Sequence, residues 1–232
     1  MRMHIIAAAI VFAWAAPASA GPKPQKALCD AAYKGAAKQI AAAAKKGADV
    51  NALCAGWSET PLEIAALQGN AANVNALLAA GAAVNQRDPD QTTALMLSHS
   101  AAVTRTLLDH GADPAIRDKY QQNALISAGT VAEQIPEADS IDIVQMLMDK
   151  GLDINSTSNT NSTALMNAIQ SKHNRFIEFL LDHGADPNIR NDSNNTPLDV
   201  VENCIQTPLD PDEDLTGYRE TESILRAHGG VQ

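Results

Sequence analysis

The chain has 232 residues, 45% hydrophobic but only 3% aromatic, with 17 Lys+Arg against 27 Asp+Glu and a net charge of −10. That acidity repels phosphate backbones and anionic bilayers, which argues against nucleic acid and membrane surfaces as partners and favours a basic one. Abundant Ala and scarce aromatics suit tightly stacked helices better than a sheet core.

The first predicted element is a secretory leader. Arg2 gives a positive start, Ile5 to Ala16 is an uncharged apolar run, Pro17 breaks it, and Ala18-Ser19-Ala20 is a cleavage site of the A-x-A type. Twelve apolar residues are too few to span a bilayer as a helix. Cleavage after Ala20 leaves a chain of 212 residues with a net charge of −11, which begins with a short flexible leader from Gly21 to Lys26. No twin Arg is present, and Cys29 is too far from the cut to be a lipidated first residue. The reading places the protein in the periplasm or outside the cell, where disulfides persist. Of the three cysteines, Cys29, Cys54 and Cys204, at least one must then stay outside an intramolecular bridge.

Beyond the leader one phrase recurs: Gly47-Ala-Asp-Val-Asn51, Gly81-Ala-Ala-Val-Asn85, Gly111-Ala-Asp-Pro-Ala115, Gly151-Leu-Asp-Ile-Asn155 and Gly184-Ala-Asp-Pro-Asn188. The glycines are 34, 30, 40 and 33 residues apart. A second phrase follows 12 or 13 residues after each Gly: Thr60-Pro-Leu, Thr93-Ala-Leu, Asn123-Ala-Leu, Thr163-Ala-Leu and Thr196-Pro-Leu. One unit predicts its own local structure. Thr60 caps a helix, Pro61 takes the first helical position, and Glu63 completes a capping box. Leu62, Ile64, Ala65 and Ala66 form the packed face, and Gly69-Asn70 turns the chain. Val74, Leu77 and Leu78 give a second helix at i, i+3, i+4 spacing, which Gly81 ends. The polar stretch from Asn85 to Thr92 is a finger leading to the next cap. The second-helix pattern returns at Val103/Leu107/Leu108, Val144/Leu147/Met148, Ile177/Leu180/Leu181 and Ile224/Leu225. Such a pair buries its apolar face only against a neighbour, so the units must stack.

These phrases resemble the ankyrin repeat over roughly residues 27–230. The resemblance implies an all-α solenoid of about six stacked helix pairs with β-hairpin fingers and a capping repeat at each end. The units fall at about 27–59, 60–92, 93–122, 123–162, 163–195 and 196–230. Where the family often has His after Thr-Pro-Leu, this chain has Glu63, Met96, Ile126, Met166 and Asp199. The third unit is three residues short at Ser98 to Ser100, the fourth carries about seven extra within Gly129 to Ser140, and the sixth about twelve extra within Cys204 to Glu220. The family layout puts the start of one first helix near the next finger, which brings Cys29 within reach of Cys54 and leaves Cys204 as a partly buried thiol. A Cys29–Cys54 bridge would add about 3 kcal/mol to the Ala-rich first unit.

No catalytic constellation, nucleotide loop or cofactor motif is present: no G-x-S-x-G, H-E-x-x-H, Walker loop or Gly-rich dinucleotide turn. His110 and His183 sit in the repeated Leu-Leu-Asp-His-Gly and read as helix-end residues; His99 and His173 have no evident sequence partner. The run Asp210-Pro-Asp212-Glu-Asp214 opens like a calcium loop, but Leu215 and Thr221 stand where Gly and Glu are needed. Cofactor and metal are therefore expected to be absent, and the chain is expected not to be an enzyme.

Partners of the ankyrin family dock on finger tips and the concave face of the first helices. Carried over, the tips are 55–59, 87–91, 117–121, 157–161 and 191–195. Trp57, Arg87, Asp88, Arg117, Lys119 and Tyr120 are the candidate partner-binding residues, with Trp57 and Tyr120 as aromatic anchors; packing of Trp57 inside its own finger is the competing reading. Glu133, Glu137, Asp139, Asp210, Asp212, Glu213 and Asp214 make an acidic edge that would meet a basic partner or simply face water. The expected function is an exported protein-binding module, acting as accessory, inhibitor or immunity partner of a periplasmic or secreted enzyme. An effector that binds a host protein is the alternative. The expected state is a monomer.

Overall fold

The computed structural model describes residues 23–130, 135–208 and 214–231. The secretory leader and its cleavage point lie outside them. The helices come in units, as the repeat requires. The first unit holds α1 (Pro24–Lys34) and α2 (Ala37–Lys45), and the second α3 (Pro61–Leu67) and α4 (Ala71–Ala79). The third holds α5 (Ala101–Asp109), the fourth α6 (Ala124–Ala128) and α7 (Glu137–Asp149). The fifth has α8 (Ala164–Ala168), a 3-10 turn over Ile169–Ser171 and α9 (Asn174–Asp182), and the sixth α10 (Pro197–Gln206) and α11 (Thr216–Ala227). Helix α1 begins at Pro24, inside the stretch expected to be a flexible leader. Pro suits the first helical position, and the neighbouring Gln25 ties α1 to Asp49 through two hydrogen bonds of 2.9 Å.

Local caps start and stop these helices. Thr60 and Glu63 form the expected capping box, and Thr196 with Asp199 forms a second. Asn123 and Thr163 accept from the backbone N–H groups of Ile126 and Met166. Each second helix ends in a glycine of positive φ, 95° at Gly81, and the N–H one residue on reaches back six residues' span to close the last turn, Ala82 to the Leu77 carbonyl at 3.0 Å. An added Cβ at Gly81 would meet nothing, so it is the backbone conformation, not space, that asks for Gly there.

Stacking makes two layers. First helices pack on first helices (α1 on α3, α6 on α8, α8 on α10), and second helices run α2, α4, α5, α7, α9, α11. Leu62, Leu125, Leu165 and Leu198 of the first layer are buried, as are Val74/Leu77, Val103/Leu107, Val144/Leu147 and Ile177/Leu180 of the second. Each such side chain contributes about 1.5–3 kcal/mol by leaving water. Polar side chains also cross between units. Asn73 of α4 donates to the carbonyls of Ala31 and Ala32 at 3.0 and 2.9 Å, and Glu137 of α7 accepts the Phe176 N–H at the start of α9. Glu137 thus caps a neighbouring helix, a role that the acidic-edge reading had missed.

Two expectations about the elements need correction. The third unit has no first helix: residues 94–97 form a turn closed by bonds from Met96 N–H to Thr93 O and Ser98 N–H to Leu95 O. The three missing residues leave no room for an α-helical turn before α5. The fingers are turns, and no strand forms among the described residues. Each closes on a residue in the left-handed region (Gln91, Gln121, Asn161, Asn194), too soon for paired strands to develop.

Candidate functional site

The fingers line one edge of the stack, the second to the fifth linked tip to tip by single backbone bonds: Lys119 N–H to Asp90 O, Asn159 N–H to Tyr120 O and Asp192 N–H to Thr160 O, at 2.9–3.0 Å. Within the second, third and fifth fingers an acceptor and a cation fix the turn, and in the fourth Ser158 is the acceptor without a cation. Asp88 is buried, and its Oδ1 accepts the Thr92 N–H at 2.8 Å. Asp118 does the same for Tyr120 and Gln122. Arg87 donates to the Gln91 side chain at 3.2 Å. Arg117 donates to the Gln121 carbonyl and, across to the next finger, to the Thr157 carbonyl at 2.8 Å. Arg190 repeats the clamp on the Asn194 carbonyl.

The predicted partner-binding residues therefore divide. Asp88 and Arg117 hold the fingers together and offer a partner little, because burial and backbone bonds use their polar atoms. Arg87 is exposed beside its finger, and Lys119 pairs with Asp90 of the preceding finger at 2.5 Å while lying 4.9 Å over the Tyr120 ring. The bond to Asp90 holds the Lys119 ammonium above the ordinary lysine range. Tyr120 remains 41% exposed and Trp57 44%, large values for aromatic rings. Trp57 meets an aromatic ring outside its own finger. Its ring stands 5.4 Å from that of Tyr33 on α1, tilted by 51°.

Beneath that pair Cys29 and Cys54 are bridged, with a Cα–Cα distance of 5.8 Å. Tyr33 follows Cys29 by one helical turn and Trp57 follows Cys54 by three residues, so the bridge sets the finger against α1 and the rings against each other. Leu67 holds on α3 the place Tyr33 holds on α1, two residues before the turn glycine, and it too is exposed, as is Leu53 at the base of the finger. Sequence reasoning missed Tyr33 and Leu67. Their spacing from Cys29 and from the turn glycines was the available signal. Cys204 lies in α10, half-buried and outside the bridge.

Among the described residues no group of three His, Cys, Asp or Glu side chains could hold a metal ion, and no helix is long and apolar enough to cross a membrane. Most of the Asp210–Asp214 run lies outside the described residues. Asp214 accepts from the backbone and hydroxyl of Thr216, bonds that hold its carboxyl below the ordinary range. His110, His183 and His228 each place Nδ1 2.8 Å from the carbonyl four residues back, the helix-end role expected for the first two.

Comparison with known proteins matches this architecture. Profiles described as ankyrin repeats, in three copies and in many copies, match residues 28–118, 64–156 and 147–201. A mitochondrial disaggregase of Bos taurus is 32% identical over 145 residues, 59% of this chain and 20% of its own length. A putative ankyrin repeat protein of Fowlpox virus is 40% identical over 58 residues, and the chain spans a fifth or less of the length of these relatives. Among solved structures, an ankyrin repeat domain from Acinetobacter baumannii AYE superposes with a TM-score of 0.61 at 26% identity, covering 88% of this chain and 98% of that one. A chain from the complex of a predatory endopeptidase of Bdellovibrio bacteriovorus with an immunity protein superposes with a TM-score of 0.65 at 24% identity, covering 87% and 97%, a likeness of fold.

Proposed function

The chain belongs to the ankyrin-repeat family, and from that premise we propose that it is an exported module that binds another protein through the Tyr33–Trp57 pair and the finger edge leading from it to Tyr120. The observation that carries this reading is an aromatic pair left more than a third exposed although a disulfide fixes it in place. Rigid, exposed aromatics lose little entropy on binding and are typical anchors of interfaces. The bridge suits an oxidising compartment, as does the leader read over residues 1–20. The partner is a basic periplasmic or secreted protein, attracted by the acidic chain, and the complex of an endopeptidase with an immunity protein offers a parallel. The alternative of a host-directed effector uses the same surface outside the cell.

The test is capture from the exported fraction with the wild-type chain and with a Tyr33→Ala/Trp57→Ala variant, quantified side by side. A protein retained by the wild type and lost by the variant supports the proposal. Equal retention by both places binding elsewhere. Sequencing the mature N-terminus tests export separately: it should begin at Gly21, and a chain still beginning at Met1 would refute cleavage.

A further inference from the structure

Four joints of the stack carry a side-chain carboxamide clasp, and a related one closes the first unit. Asn51 accepts the Ala83 N–H at 2.8 Å and donates to the Gly81 carbonyl at 3.4 Å. Asn85 does the same with Asp113 and Gly111, Asn155 with Asp186 and Gly184, and Asn188 with Val231 and Gly229. At the first loop Gln25 takes the Asp49 N–H and returns its NH2 to the Asp49 carbonyl. Between the third and fourth units the corresponding residue is Ala115, and among the described residues no side chain reaches the Asp153 N–H or the Gly151 carbonyl.

That receiving loop is nonetheless shaped like the others. Gly151 has φ 89°, within the 84–95° of Gly81, Gly111 and Gly184. The Asn155 N–H bonds Asp153 Oδ1 at 2.9 Å, as the Ala115 and Asn188 N–H groups bond Asp113 and Asp186. A cleft of about 310 Å³ opens there, lined by Ala115, Gly151 and Asp153 with Arg117, Lys150 and Ser156 around it. We propose that this cleft binds a carboxamide, the side chain of an Asn or Gln on a partner polypeptide, whose oxygen accepts the Asp153 N–H while its NH2 donates to the Gly151 carbonyl. A carboxylate cannot make the second bond and an ammonium cannot make the first, so the pair selects an amide. The polypeptide source rests on the binding-module reading; the amide preference rests on the loop alone.

Blocked amino acids test it without the partner. N-acetylasparagine N-methylamide, followed by backbone NMR, should shift the Asp153 amide resonance and saturate below roughly 100 mM, a weak two-bond affinity. The blocked aspartate should leave it in place. A115N should abolish the response and raise Tm by about 2–4 °C, because it closes the clasp within the chain, as Asn188 does after the same Asp-Pro pair. A115S should keep the response. No saturable shift, an equal shift with aspartate, a shift retained in A115N, or an A115N chain that fails to fold would each overturn the proposal. None of these results bears on the Tyr33–Trp57 edge.

Discussion

Glu63 concentrates the tension between local and tertiary demands. Its Oε2 accepts the Thr60 N–H at 2.7 Å, which was legible from the Thr-Pro-Leu-Glu spacing. The stack then buries the whole side chain, leaving Oε1 without a partner among the described residues, and that burial was not legible from the unit itself. Burial raises its pKa from 4.5 to about 7, against the bond from Thr60 and helped by the nearby charge of Asp88. A folded pKa above the unfolded one means that the native state binds more protons between those values. Its stabilising contribution is whole below pH 4.5, is lost as pH rises toward 7, and is level above. Chemical denaturation across this range should show stability declining by an amount on the order of 3 kcal/mol from this group, and Glu63→Gln should flatten that part of the profile. An unchanged profile in the variant would assign the pH dependence to other groups.

At the scale of elements, the first unit depends on its staple. Its second helix packs with Ala43 and Ile40, a thin apolar face, and the Cys29–Cys54 bridge offsets that thinness. Replacing both cysteines by Ala should cost about 3 kcal/mol and lower Tm by roughly 6–12 °C. Trp57 fluorescence should shift to the red at the same time, as the finger loses its hold on Tyr33. A Tm fall without that shift would separate the bridge from the aromatic pair. Gly129 makes a different kind of contact. A Cβ there would meet the Ala164 backbone at 2.4–2.9 Å, so α6 and α8 approach too closely for any side chain. Gly129→Ala should destabilise by about 1–3 kcal/mol in a denaturant titration, although its φ of −68° is open to Ala.

These cases mark where sequence reading stops. Caps and helix ends were legible because they need one residue type within a turn of the chain: Thr60, Pro61, Gly81. The turn at residues 94–97 was visible only as a deletion, since a helix of that length survives or fails by its fit to its neighbours. The finger residues misled for a related reason. Asp88 and Arg117 look like surface charges until the backbone groups they bond, four residues away or on the next finger, are brought beside them.

At the scale of the whole molecule, one continuous stack presents two unlike surfaces. The second-helix layer packs inward along its apolar positions and meets solvent with Lys, Arg and Asp. The finger edge carries Trp57, Tyr33 and Tyr120, fixed by a bridge and by tip-to-tip bonds, and the account holds that this edge meets the partner. Site-specific photo-crosslinking in the producing cell tests that most directly, with benzoylphenylalanine introduced at Trp57, at Tyr120, or at Arg105 on α5. One shared protein adduct is expected from the first two positions and none from Arg105. An adduct from Arg105 alone, or none from either finger position, would contradict it.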